Sequence, residues 1–321
     1  MTTLNKNKLI WRYVIFIIIF LGLFILIFGP HFNLRAFLFQ RSFLFYFMSW
    51  LTMAIALNII FGYTGYLPFG FVAFYGIGAY TASILWSRLG IPILLSIMLA
   101  GLVGVFIALL FAPMLKLKGI YFAIVNFSFA KVLQIVIANS PEELTGGSFG
   151  IMLAAIYNPQ FSYYAMLLIT LLAIITLWLL SKSRLGIALR CIKEDAEAAS
   201  VMGINIVRCR LQAWLLAAVF SSLVGAIEAW YTAVIDPETS FALWVTARSI
   251  IYAMFGGLGT VLGPIIGTTT LYILDEVIWT HFPLWNQLLL GLLMGLLILF
   301  LPDGVIGAIH KRYPELRSII K

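Results

Sequence analysis

An all-α bundle of membrane-spanning helices, about eight to ten of them, is expected from three features of the chain. Hydrophobic residues occupy 63% of its 321 positions and charged residues only 10%, against roughly 25% charged in soluble domains. The apolar residues fall in continuous runs, long enough for helices crossing a hydrocarbon core about 30 Å thick, which takes about 20 residues. These runs are unlike the short alternating stretches of a membrane barrel, and a helix satisfies its own backbone groups where water is absent.

Taken along the chain, the runs lie near 13–29, 43–61, 67–87, 91–114, 119–138, 162–181, 211–234, 245–258, 260–279 and 284–301. The short stretches between them leave no room for a soluble catalytic domain. Lys6, Lys8 and Arg12 precede the first run as in a signal peptide. No small-residue cleavage site follows, and the run exceeds the usual apolar core of about 7–15 residues, so it reads as an uncleaved first span.

Threading from a cytoplasmic N-terminus places Lys6, Lys8, Arg12, Lys116, Lys118, the basic residues from Lys182 to Arg210, and Lys311, Arg312, Arg317 and Lys321 inside. Arg35, Arg41, Arg88 and Arg248 fall outside with the acidic pairs Glu142/Glu143 and Asp236/Glu238, and Lys131 lies within a span. This bias predicts a multi-pass protein of a bacterial cytoplasmic (inner) membrane with both termini in the cytoplasm. The net charge of +8 is therefore a topology signal and not a nucleic-acid footprint. Cys191 and Cys209 flank one basic loop as free thiols, and no residue spacing suggests a metal site.

Two interruptions share the pattern Phe-Gly-x-x-Gly: Phe61-Gly62-Tyr63-Thr64-Gly65 and Phe255-Gly256-Gly257-Leu258-Gly259. Broken helices at corresponding places in a transporter mark a substrate path, which makes Gly62, Thr64, Gly65, Tyr66, Gly256, Gly257 and Gly259 candidates to line one. Tight turns and glycine-mediated helix packing explain the same pattern equally well. Lys131 and Glu228 are charged within spans, at similar predicted depth in the outer half. They read first as a structural ion pair, and second as groups facing a polar path with Asn126, able to engage the two charges of a zwitterion. Asp275 and Glu276, near a helix end, read as solvated. Trp50, Trp86, Trp230, Trp244, Trp279 and Trp285 read as interfacial anchors.

The one long polar connection spans 182–210. Its alanine-rich, mixed-charge stretch favours a short helix that Gly203 would end. Glu197-Ala198-Ala199-x-x-x-Gly203 resembles the coupling loop of ABC importer permeases. The wider set Arg184-x-Gly186, Ala188-Leu189-Arg190, Glu197-Ala198-Ala199 and Gly203-Ile204 resembles the branched-chain amino acid permease family, in its M-type subunit. Gly62-Tyr63-Thr64-Gly65 with Ala73-Phe74-Tyr75-Gly76-Ile77-Gly78, Leu117-Lys118-Gly119-Ile120-Tyr121-Phe122-Ala123, Leu144-Thr145-Gly146-Gly147-Ser148-Phe149-Gly150-Ile151, Gly256-Gly257-Leu258-Gly259 with Gly263-Pro264, and Phe300-Leu301-Pro302-Asp303-Gly304 are similar to it in the same order. Tyr66, Pro68 and Phe71 depart from it, standing where many relatives carry Gln, Ser and His.

The resemblance implies one permease domain over 1–321, with a cytoplasmic coupling helix inside the 182–210 loop. Arg184, Gly186, Arg190, Glu194, Glu197, Ala198, Ala199 and Gly203 would then meet an ATPase subunit. No phosphate-cradling motif occurs here, so the chain would bind no cofactor and ATP would be used by partners. Those partners would be a homologous permease in a heterodimer, two cytosolic ATPase subunits, and a periplasmic or surface-anchored substrate-binding protein. The implied activity is import of branched-chain or related amino acids; other family members carry urea or short amides. A secondary transporter or channel would leave the 182–210 loop without a role.

Overall fold

The apolar runs fold as helices, and their order in the computed structural model follows the chain. It describes residues 40–281 except 118 and 154–157, together with 285, 288–289, 291–292, 295–296 and 304–307. The first expected span and both termini lie outside these residues. Helix α1 (Arg41–Leu57) runs on through a π-turn at Asn58–Gly62; α2 (Val72–Leu89), α3 (Ile93–Leu110), α4 (Ile120–Ala138) and the short α5 (Glu142–Thr145) follow. Strand β1 (Ile151–Met152) precedes α6 (Pro159–Lys182), α7 (Arg184–Glu194), α8 (Ala196–Val201) and α9 (Ile206–Thr232). Strand β2 (Val234–Ile235), α10 (Pro237–Ser240), α11 (Leu243–Gly256) and α12 (Leu262–His281) complete the order.

Among the described residues, five helices are long and apolar enough to cross a membrane: α1 with its π-turn, α3, α4, α6 and α9. The expected spans at 67–87, 245–258 and 260–279 are also helical, as α2, α11 and α12, but are less apolar or shorter. Polar residues explain the lower hydropathy of α2, whose Tyr80 and Ser83 are enclosed by neighbours.

Helix α9 is the axis of the bundle and packs against α1, α2, α3 and α6. Small residues make up more than half of its buried positions, among them Ala213, Ala217, Ala218, Ser221, Ser222, Ala226 and Ala229, alongside Trp214 and Trp230. Small side chains let helix backbones approach closely, which is how helices associate in an apolar solvent offering no hydrophobic drive between them. Gly78 of α2 sits so close to the Ser222 carbonyl that a Cβ there would overlap it. Large apolar side chains point outward instead, including Leu102 and Phe106 on α3, Ile124 and Ile135 on α4, and Leu172 and Ile175 on α6. That inversion of a water-soluble surface fits a lipid-facing exterior.

The connections sort to two ends. At one end Lys193 of α7 donates from Nζ to the Gly62 carbonyl, 2.9 Å away. At the other, β1 pairs antiparallel with β2, Ile151 opposite Ile235, and Arg88 Nη2 donates to the Glu142 carbonyl at 3.3 Å. Threading a chain back and forth across a membrane puts these two sets of connections on opposite faces.

Candidate functional site

At the α7 end the two Phe-Gly-x-x-Gly breaks meet. The Gly62 backbone lies so near the second break that a Cβ on Gly62 would stand 2.6 Å from the Gly259 nitrogen. Asn58, buried inside the π-turn, ties them together: its Oδ1 accepts from Gly259 N at 2.8 Å and its Nδ2 donates to the Thr260 carbonyl at 3.0 Å. A π-turn holds an extra residue in the helix, and such turns occur where a helix is shaped for function. Gly259 has φ of 79°, in the left-handed region open to glycine. The junction is thus backbone against backbone, with one amide side chain as the bridge.

Three cations attach the loop end to this junction. Besides the Lys193 bond to Gly62, the Arg190 guanidinium stands 5.8 Å from the Tyr63 ring and the buried Arg210 guanidinium lies 3.9 Å over the Tyr66 ring. Burial pushes the Lys193 ammonium below its ordinary range, and the neighbouring Glu194 acts in the opposite direction. Thr64 is turned back onto the Ile60 carbonyl, and Gly65, with φ of 76°, carries the chain out of the break.

The loop itself corrects one expectation. Instead of one short helix there are two, because Asp195 leaves helical geometry with φ of −152° and caps α8 through bonds to Glu197 N and Ala198 N at 2.8 and 3.0 Å. Arg184, Gly186, Arg190 and Glu194 therefore belong to α7, whereas Glu197, Ala198 and Ala199 form α8, which ends before Gly203 at φ of 85°. Ala199 packs inward while Glu197 and Ala198 face out. Beyond them Val201 and Met202 are 90% and 79% exposed, an apolar tip that the motif's small residues did not announce.

Near the opposite end a cavity of about 160 Å³ opens between α1, α2, α9 and α11, lined by Ser49, Trp50, Met53, Tyr75, Glu228 and Val245 among others. A second of about 420 Å³ shares Trp50, Glu228 and Trp244 with it and adds Arg248, Asp275 and Glu276. Ser49 Oγ donates to the Glu228 carboxylate at 2.6 Å, and the Tyr75 hydroxyl is its second hydrogen-bond partner. Arg248 Nη2 meets Asp275 Oδ2 at 3.1 Å, and its guanidinium lies 5.1 Å and 5.2 Å from the Trp50 and Trp244 rings.

Several expectations change here. Lys131 and Glu228 do not pair: Lys131 Nζ bonds its neighbour Gln134 Oε1 at 2.8 Å in a separate cleft that also reaches Trp244. Asp275 is buried at 6% exposure and salt-bridged, not solvated. Trp50 and Trp230 are core residues, Trp230 stacking edge-on with Trp86. Asn126 is buried and structural in its contacts, accepting from Gly70 N at 2.6 Å and holding α4 against the entry to α2. Gly256 lies where a Cβ would overlap the Gly263 carbonyl, so it serves the close packing of α11 on α12, while Gly257 begins the turn between them.

The model of the family described as "Branched-chain amino acid transport system / permease component" matches residues 41–301, which include both the junction and the cavity. The high-affinity branched-chain amino acid transport system permease protein LivM of Salmonella typhimurium is 28% identical over 81% of this chain and 68% of its own length. LivM of Escherichia coli K12 is 27% identical over the same shares. LivH of Salmonella typhimurium, the permease protein of that name from the same kind of system, is 24% identical over 79% of this chain and 90% of its own. No solved structure matches the chain. With most of its length covered by the family model, this membrane helix bundle belongs to the permease components of branched-chain amino acid transport systems.

Proposed function

We propose that the chain is a permease subunit of an ABC importer, moving branched-chain or related amino acids inward across a bacterial cytoplasmic membrane with ATP hydrolysed by separate subunits. The observation that carries this reading is mechanical: Lys193, on the helix leading into the coupling motif, holds the carbonyl of Gly62 at the point where the two glycine breaks touch. A partner pulling on α7 and α8 would act directly on that contact. Relatives named LivM and LivH are both permease proteins of one kind of system, which supports pairing with a homologous permease. Two ATPase subunits and a substrate-binding protein complete the proposed assembly. The exposed tip at Val201 and Met202 offers an apolar patch for docking, and Glu194 and Glu197 earlier in the loop are also exposed. The α7 end and both termini then face the cytoplasm.

The test is ATP-driven uptake of labelled leucine by vesicles holding the whole assembly. Lys193→Met keeps the aliphatic stem and removes the donor; it should lower uptake about tenfold, worth about 1.4 kcal/mol, while ATP hydrolysis continues. Met202→Glu should release the ATPase subunits. Normal behaviour of both variants would remove the coupling role from this loop. ATP hydrolysis without leucine uptake by the wild type, together with uptake of labelled urea, would instead place the chain with the small-amide carriers.

A further inference from the structure

The cavity near the β1 and β2 end has a composition that the proposed import activity does not by itself account for. Glu228 is an intramembrane carboxylate, and a charge at such a depth costs a few kcal/mol unless compensated. Its neighbours are the hydroxyls of Ser49 and Tyr75, and among the described residues no cation forms an ion pair with it. A carboxylate offers about four acceptor sites, so two hydroxyl donors leave it able to take more. Lining the adjoining space is Arg248, whose ion pair with Asp275 runs through Nη2, while a guanidinium carries five N–H donors. Trp50 and Trp244 stand beside its guanidinium and wall the same space as Glu228. Beyond Glu228 the smaller cavity is lined by the apolar Met53, Ala79, Ile235 and Val245 together with the hydroxyl-bearing Thr232, Thr239 and Ser240.

We propose that this double cavity is a station for an aliphatic amino acid in zwitterionic form, with Glu228 receiving the ammonium, Arg248 receiving the carboxylate, and the side chain lying against Met53, Ala79, Ile235 and Val245. The assignment rests on the reading of the chain as an amino-acid permease and names the residues that would select the substrate's charged head. A zwitterion adds no net charge to the membrane interior while supplying a cation that no described residue gives Glu228 in an ion pair. Urea or a simple amide offers Glu228 no cation and Arg248 no anion, and an amine or a carboxylic acid answers only one of them. Discrimination of this kind is large because a missing partner leaves a buried polar group unpaired.

The complete reconstituted assembly is treated with a hydrophobic carbodiimide, which modifies carboxyl groups, and the extent of modification at Glu228 is read by mass spectrometry with Glu228→Gln as the blank. Excess leucine should slow modification several-fold. Leucinamide, which lacks the carboxylate, and 4-methylpentanoate, which lacks the amine, should protect far less. In parallel, Glu228→Gln and Arg248→Gln should each lower leucine uptake at least tenfold. Modification unchanged by leucine, a Glu228 that the reagent never reaches, or equal protection by all three compounds overturns the station. Wild-type assemblies that hydrolyse ATP yet import no leucine overturn the underlying function instead, and uptake by the wild type separates the two failures.

Discussion

The two ends of the helical core are built from different materials. At the α7 end, Gly62 and Gly259 meet main chain to main chain, bridged by one buried amide. At the far end, side chains define the space: two indole rings, a guanidinium and three carboxylates around open volume. A contact between backbones has few intermediate positions, because adding even one methyl group forces a main chain to move. A cavity walled by side chains can yield by rotamer changes. On the proposed import reading, the contrast suits all-or-none closure in the first region and graded selectivity in the second.

The largest effect is expected where that contrast is attacked directly. Gly62→Val places a branched side chain against the Gly259 nitrogen, and an overpacking cost of about 1–3 kcal/mol in the closed junction lowers uptake by about ten- to a hundredfold. The matched change Ala79→Val in the cavity wall should cost only a few-fold in uptake, about 1 kcal/mol or less. Equal tolerance of the two valines, measured side by side in vesicles, would erase the distinction. Next comes Asn58→Ala, which strips the acceptor from Gly259 N–H and the donor to Thr260. Leaving those groups unsatisfied costs about 1–3 kcal/mol, visible as a lower melting temperature in detergent. Asn58→Asp keeps the acceptor alone and should melt between the two.

Smaller effects sharpen the picture of the cavity. Ser49→Ala removes one hydroxyl donor from Glu228, a bond to a charged group worth about 1.5–3 kcal/mol, and should raise the leucine concentration for half-maximal uptake about tenfold. Trp244→Phe keeps an aromatic face beside Arg248 and should change it by about twofold, since exposed cation–π contacts are worth about 0.5–1 kcal/mol. An effect of Trp244→Phe exceeding that of Ser49→Ala would mean that the indole, and not the hydroxyl, organises the site.

Much of this architecture is legible in the chain itself. Apolar runs locate the long described helices to within five residues; the largest offsets are at α9, which begins five residues before its run, and at α2, which begins five residues after its run, where the glycine break delays helix formation. The paired breaks are visible as a repeated motif, but not their mutual contact, because Asn58 and Gly259 are brought together from positions 201 residues apart. Asn58 itself is a single polar residue inside Ala-Ile-Ala-Leu-Asn-Ile-Ile-Phe-Gly, the one local sign that something there needs a hydrogen bond. Lys193 reads as a rim charge on a polar loop until the fold brings it to Gly62, 131 residues away. Arg248, counted outside by threading, lies beside Trp50 and faces an acid on the next helix. Charge bias reports which side of a membrane a segment occupies, and is blind to such sideways pairings.

The π-turn at Asn58–Gly62 has a further consequence, best expressed as motion. An α-helix advances about 1.5 Å and turns about 100° with each residue, so a helix holding one spare residue contains a stored step of that size. Returning the turn to α-helical spacing would slide and rotate everything beyond it by one residue while keeping the helix hydrogen-bonded throughout. For α1 that step would carry Asn58 and Gly62 past Gly259, a ratchet with one tooth set beside Lys193 of α7.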